Sequence, residues 1–233
     1  MVEVITKGRL YMEKPVYSLM IVDDHPIIHN ALETLLESDG SLSIDTVATS
    51  ATEAMKLLKT VHPDLVIADL SMGDSDGTYL IQRIHNKYPK IRILVYSMSE
   101  EKLFGERAAI AGACGYVMKT SKPSTLKKAI HSVINGTPFF SNEIVRRIRK
   151  KKCGRPTAPQ SALDHLSNRE MDVFKLIGEG FDTLHIGNKF NISKNTVDTH
   201  RINIKKKLEL SNGKALDRMA YEVIMQGKLP KKK

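Results

Sequence analysis

The sequence predicts a doubly wound α/β domain built on a five-stranded parallel sheet, followed by a small all-α domain. Three observations predict it. From Val16 to about residue 137, short apolar runs of strand length alternate with amphipathic segments of helix length. After Ser161 the strand-like runs stop and only the 3.6-residue period continues. The charge also divides: residues 1–140 hold 15 Lys and Arg against 16 Asp and Glu, whereas residues 141–233 hold 21 against 10. A chain of 233 residues is long enough for two cores.

Residues 1–15 show no clear period and read as a short extension ending at Pro15. Val16–Val22 is a buried strand that runs into Asp23, Asp24, His25 and Pro26. Pro26 suits a first helical turn, and Ile27, Ile28, Ala31, Leu32, Leu35 and Leu36 form the stripe behind it, closed by Gly40. A weak strand near Ile44–Ala48 precedes a helix over Ala51–Thr60. Leu65–Ala68 is a continuous apolar run, the pattern of a parallel strand covered on both faces, and it ends at Asp69. Gly73 to Gly77 is turn chemistry. A helix over Tyr79–Lys87, a strand over Ile91–Tyr96 ending at Ser97, a helix over Glu101–Ala111, a strand over Tyr116–Met118 ending at Lys119 and a helix from Pro123 to Asn135 complete the domain.

Residues 138–162 read as a linker, with a basic stretch of helical pattern over Glu143–Lys152. The domain beyond it, residues 163–228, holds four helices. Ser167 and Glu170 make a capping box for the first, which runs to Glu179. Thr183 caps a second to Phe190, Ser193 a third to Leu208, and Asn212–Gln226 is the fourth. Residues 229–233 are a basic tail.

No apolar run approaches the length of a membrane span, and no signal-peptide pattern opens the chain. Cys114 and Cys153 lack metal-ligand spacing and form no disulfide framework, which fits a reducing cytoplasm. His25 and His29 stand four apart, but this spacing alone is poor support for a second metal site.

The chemistry gathers at strand ends. Asp69 alone reads as a cap or loop aspartate. In a doubly wound sheet, however, the carboxyl ends of the strands share one face, which brings Asp23, Asp24, Asp69, Ser97 and Lys119 to one crevice. Three carboxylates held together need a cation, and Mg2+ suits oxygen donors that leave room for water and phosphate. A carboxylate beside it can attack phosphorus and form an acyl phosphate. Lys119 would meet a phosphoryl oxygen and Ser97 would donate a hydroxyl.

The segments IVDDHP, DLVIADLSM, ILVYS and GYVMK stand in order across residues 16–137, and this region resembles the flavodoxin-like receiver domain of two-component response regulators. The resemblance implies phosphorylation of Asp69 by a sensor histidine kinase, with Mg2+ held by Asp23, Asp24, Asp69 and the backbone carbonyl of Ser71. It implies a switch made of Ser97 and Tyr116, and a phosphate-pairing Lys119. Gly73 and Thr120 depart from the family, which often has proline at both places.

In the second domain, Asn191-Ile192-Ser193 makes the turn of a helix-turn-helix packed by Ile186, Phe190, Ile192 and Val197. Lys194, Asn195, Thr196, Thr199, His200 and Arg201 remain for DNA, and Lys205, Lys206 and Lys207 suit phosphates. The charge of this half points the same way, toward a polyanion. The segments LSNREMDVFKLIGEG and NTVDTHRINIKKKL resemble the LuxR-type helix-turn-helix of the NarL/FixJ regulators. That resemblance implies a DNA-binding transcription regulator that dimerises on DNA through its last helix, on Leu216, Ala220, Val223 and Ile224. Asp198 and Ile202 depart from positions that are often basic.

The reading is therefore a phosphorylation-switched, cytoplasmic regulator of double-stranded DNA, and not an enzyme in its own right. Two alternatives use the same residues: a Mg2+-dependent phosphohydrolase with an aspartyl-phosphate intermediate, and a regulator that binds DNA without phosphorylation. The first leaves the basic half unexplained and the second leaves the carboxylates unused.

Overall fold

The computed structural model describes residues 3–6, 9–12, 16–72, 77–152 and 161–228. The expectations on Gly73, on Cys153 and the linker to Gln160, and on the tail 229–233 lie outside the described residues. The extension is more ordered in pattern than its sequence suggested. Strands β1 (Glu3–Thr6) and β2 (Arg9–Met12) pair antiparallel, with Thr6 opposite Arg9. Four-residue strands are too short to register as a period in the windows that reveal longer elements.

The parallel sheet follows in strict alternation: β3 (Tyr17–Val22), α1 (Pro26–Leu36), β4 (Leu42–Ala48), α2 (Ala51–Leu57), β5 (Leu65–Ala68), α3 (Gly77–Lys87), β6 (Arg92–Ser97), α4 (Glu101–Ala111), β7 (Gly115–Met118) and α5 (Pro123–Ile134). Strand order is β4-β3-β5-β6-β7, every pairing parallel. The order reverses at β3, and ligand crevices of such sheets lie outside the strand ends at this reversal. β4 begins at Leu42, earlier than the weak pattern suggested, because Leu42 pairs with Tyr17.

The continuous apolar runs conceal a period of two. Leu19, Ile21, Leu65, Ile67, Leu94 and Val117 face Leu32, Leu36, Leu126 and Ile130 of α1 and α5. Their neighbours Met20, Val22, Val66, Ala68, Ile93 and Val95 face Ala54, Leu80, Ile81, Phe104 and Ala108 of α2, α3 and α4. Both faces are covered, so both sets are apolar. Gly77 opens α3 directly against the chain leaving β5: a Cβ there would stand 2.4 Å from the Leu70 Cα.

The region expected to be a linker contains α6 (Asn142–Lys152), and a 3-10 turn over Ala162–His165 precedes the four expected helices. These are α7 (Asn168–Gly178), α8 (Thr183–Phe190), α9 (Lys194–Lys207) and α10 (Gly213–Ile224). Ser167 and Glu170 form both halves of the capping box, and Ser193 caps α9. Thr183 does not cap α8; Asp182 does, its carboxylate accepting from the His185 amide at 2.8 Å. A carboxylate at the N-cap also meets the positive end of the helix dipole.

The two units dock. Phe104 of α4 shares one apolar cluster with Leu163, Leu166 and Met171. Arg147 of α6 reaches both sides, with Nε 2.5 Å from Glu106 Oε2 and Nη2 3.3 Å from Asp164 Oδ1. Arg107 of α4 donates to Asn168 Oδ1 and to the Leu163 carbonyl, each at 3.0 Å. Lys175 of α7 donates to the Ser71 hydroxyl.

Candidate functional site

Backbone bonds carry three strands just past their ends. The Asp23 amide donates to Ala48 O at 3.0 Å, Asp69 to Val22 O at 2.9 Å and Lys119 to Ser97 O at 2.8 Å. These bonds fix the side chains that the sequence placed in one crevice, and the crevice exists. Lys119 Nζ lies 2.6 Å from Asp23 Oδ2 and 2.9 Å from Asp69 Oδ2. All three side chains are buried. Burial pulls the Lys119 pKa down, but Asp69 and Asp23 outweigh it and the net shift is upward, so the ammonium keeps its charge.

Asp24 stands beside this pair at the crevice mouth and meets His25 Nδ1 at 2.8 Å. His25 Nδ1 is also 3.1 Å from Asp23 Oδ1. His29 turns inward, its Nε2 2.8 Å from the Asp23 carbonyl. One ligand atom each from Asp23, Asp24, His25 and Asp69 fall within 4.8 Å of one another. Charge density already draws a cation there, in the form of the Lys119 ammonium, and hard carboxylate oxygens are the donors that Mg2+ selects. The acidic set therefore fits that ion.

On the other side of Asp69 lies a row of hydroxyls. The Ser71 amide donates to Asp69 Oδ1 at 3.1 Å, and Ser71 Oγ is 3.5 Å from Ser97 Oγ and 3.3 Å from Ser99 Oγ. Ser97 is fully buried. Tyr116 is also inside, its hydroxyl donating to the Ser99 carbonyl at 2.9 Å. Burial first, then the charge of Asp69, push the tyrosine hydroxyl well above its usual range, which keeps it a donor. Ser99 escaped the sequence reading; its one signal was its place two residues past Ser97. Lys175 gave no signal at all, being separated from Ser71 by 104 positions.

The second unit presents a different surface. Asn191, at φ 51°, ends α8, and Ser193 caps α9 after a three-residue turn. Ile186, Phe190 and Val197 are buried at this corner and Ile192 is partly so, as the sequence predicted. Lys194, Asn195, Thr196 and Thr199 are exposed along the start of α9. His200, Arg201 and Lys205 are only half exposed. Arg201 is engaged within the unit, Nη2 2.6 Å from Asp217 Oδ1 of α10. Burial, then the nearby Arg169 charge, lowers the pKa of His200, so its imidazole is neutral at pH 7.

One set of expected contacts is corrected. Leu216, Ala220 and Val223 of α10 are buried within this unit, and Ile224 lies against Gly178, where a Cβ would meet it at 2.7 Å. The apolar stripe of α10 is core, turned toward α7, because a 3.6-residue stripe shows that a face is covered without showing by what. The exposed apolar residues at the end of this helix are Tyr221 and Met225.

Comparison with known proteins agrees with both halves. Residues 19–131 match the response regulator receiver domain, and residues 164–220 match the bacterial regulatory proteins of the luxR family. The Fimbriae Z protein of Escherichia coli K12 is 31% identical over 193 residues, 83% of this chain and 90% of that protein. The nitrate/nitrite response regulator protein NarL of the same strain is 25% identical over 195 residues, covering 84% and 90%. A structure of the RcsB response regulator of Salmonella typhimurium, 26% identical, superposes with a TM-score of 0.68 over 90% of this chain and 98% of that one. RcsB bound to promoter P1flhDC with the phosphomimetic BeF3– gives 0.66 at the same identity, over 89% and 99%. The acidic cluster around Asp69 is the pocket at which receiver domains conventionally hold Mg2+. Among the described residues, no helix is long and apolar enough to cross a membrane. Sheet order, crevice, helical unit and sequence likeness over most of the chain agree: the protein belongs to the NarL/FixJ family of response regulators, DNA-binding transcription regulators with an N-terminal receiver domain and a LuxR-type helix-turn-helix.

Proposed function

We propose that a sensor histidine kinase transfers a phosphoryl group to Asp69 and that this modification sets how the protein engages double-stranded DNA. The observation that carries the reading is Lys119 seated on both Asp23 and Asp69 at the strand ends, in a chain that also exposes the start of α9. An Asp69 oxygen attacks phosphorus, the P–N bond to the donor imidazole breaks, and the imidazole takes a proton. Lys119 Nζ holds a phosphoryl oxygen and Ser97 Oγ donates to another. Asp23, Asp24, Asp69 and the Ser71 carbonyl would hold Mg2+, which supplies positive charge against the phosphoryl oxygens when bound. Tyr116 is already inward, so Ser97 is the group that must turn. The receiver and helix-turn-helix domains are assigned to residues 16–137 and 163–228, and the site of action to the cytoplasm.

On DNA, Lys194, Asn195, Thr196 and Thr199 meet base edges and backbone at the helix start, with His200 and Lys205 further along. Arg201 contributes by bracing α9 through Asp217. The protein acts as a homodimer on paired half-sites, and Tyr221 and Met225 supply the apolar contact in place of the buried stripe.

Treatment of the full chain with acetyl phosphate and Mg2+ tests the switch. The wild type gains a phosphoryl mass and its DNA retention changes, whereas Asp69→Ala gains none and does not respond; a wild type that gains no mass rejects the reading. A second variant tests the helix. Lys205→Gln weakens binding to all sequences alike and lowers the slope of log K against log salt by about 1, read from fluorescence anisotropy at several salt concentrations. A loss confined to one operator sequence would contradict a phosphate contact.

A further inference from the structure

Lys175 belongs to the DNA-binding unit, yet its ammonium donates to Ser71 Oγ at the edge of the Asp69 crevice. It is only 14% exposed in its side chain, too enclosed for a casual surface lysine. Its other partner is Glu179 of its own helix, at 3.6 Å. The hydroxyl it touches sits in the row formed by Ser71, Ser97 and Ser99, and the amide of the same serine donates to Asp69 Oδ1. The ammonium is thus linked to the carboxylate through Ser71, whose amide meets Asp69 Oδ1 while Lys119 meets Oδ2.

Phosphorylation replaces the single charge of the carboxylate with a phosphoryl group of about two, and adds acceptor oxygens on the side where the hydroxyls stand. Lys119 is already shared between two carboxylates. We infer that Lys175 is a ligand of the phosphoryl group on Asp69, a cation contributed to the receiver pocket by the DNA-binding unit, so that phosphorylation tightens the docking of the two units. The inference rests on the Asp69 reading above. The sign follows from charge: a new anion stabilises the arrangement that keeps a cation beside it. Docking of this kind is compatible with DNA binding, because Lys194, Asn195, Thr196 and Thr199 stay exposed in the docked form. By reciprocity, docking raises the affinity of the pocket for a phosphoryl group by the same factor that phosphorylation strengthens docking.

The test uses the full chain and beryllofluoride with Mg2+ as the phosphoryl mimic, titrated by fluorine NMR. Lys175→Gln is expected to weaken beryllofluoride binding at least about fivefold. Lys175→Arg, which keeps the charge, recovers most of that loss, and Lys59→Gln, which removes an exposed lysine elsewhere, changes nothing. Hydrogen exchange in α7 slows on beryllofluoride addition in the wild type and not in Lys175→Gln. Equal or tighter binding by a folded Lys175→Gln, shown by an unchanged circular dichroism spectrum, overturns the inference and leaves Asp69 as the acceptor. A wild type that does not bind beryllofluoride overturns both.

Discussion

Lys119→Met is expected to cost about 3–5 kcal/mol of stability in metal-free buffer, the range found when one partner of a buried ion pair is removed. The reason is local. Asp23 and Asp69 are almost entirely enclosed and converge on the Lys119 ammonium, so the variant leaves two buried carboxylates facing each other. Part of the loss returns on adding Mg2+, because a ligand that binds only the folded state stabilises it by mass action. Urea denaturation of wild type and variant, each with and without Mg2+, measures both quantities. If Lys119→Met is as stable as the wild type without metal, the lysine is not the counter-ion that holds the crevice together. Phosphoryl acceptance falls in the same variant whatever the stability result, since the cation facing the phosphoryl oxygens is gone.

Gly77→Val is expected to destabilise the protein by about 3 kcal/mol, at the upper end of overpacking effects. A Cβ at this position meets three backbone atoms of Leu70, at 2.4, 2.8 and 2.9 Å, and backbone cannot turn aside as a side chain can. Leu70 follows Asp69 directly, so the displacement is passed to the Asp69 carboxylate, the proposed acceptor. Phosphorylation by acetyl phosphate should therefore slow more than the loss of folded protein explains, since small misplacement of a reacting group is costly. Gly40→Ala is the control, as nothing lies within 4 Å of a Cβ there. Thermal melts of the two variants decide it: similar melting temperatures would mean that α3 can slide away from Leu70 freely.

Much of this molecule was legible because its determinants are local. The run Leu65–Ala68 ending at Asp69 declared a covered strand with a charge at its carboxyl end, and parallel topology then brought Asp23, Ser97 and Lys119 alongside. The capping box at Ser167 and Glu170 fixed the start of α7 to the residue. What stayed hidden depends on pairs far apart in sequence. Neither Lys175 on Ser71 nor Arg147 between Glu106 and Asp164 leaves a trace in any period or motif. The stripe on α10 is visible in the sequence but its partner is not: Leu216, Ala220 and Val223 suit a second chain as well as they suit α7, which covers them. The charge of Arg201 suits DNA, and nothing in the sequence shows that Asp217 holds it.

The basic helix α6 alters where the attraction to a polyanion resides. Residues 142–152 carry 6 basic side chains against 1 acidic, while residues 163–228 carry 11 against 9. Helix α9, the proposed DNA reader, is thus set in a nearly neutral body, and much of the positive charge of this half sits on α6 at the seam between the two units. Long-range capture and close reading are then separate tasks on separate surfaces. Non-specific association should respond to the charge of the seam, whereas on the proposed reading the choice of site should respond to the few polar groups at the start of α9.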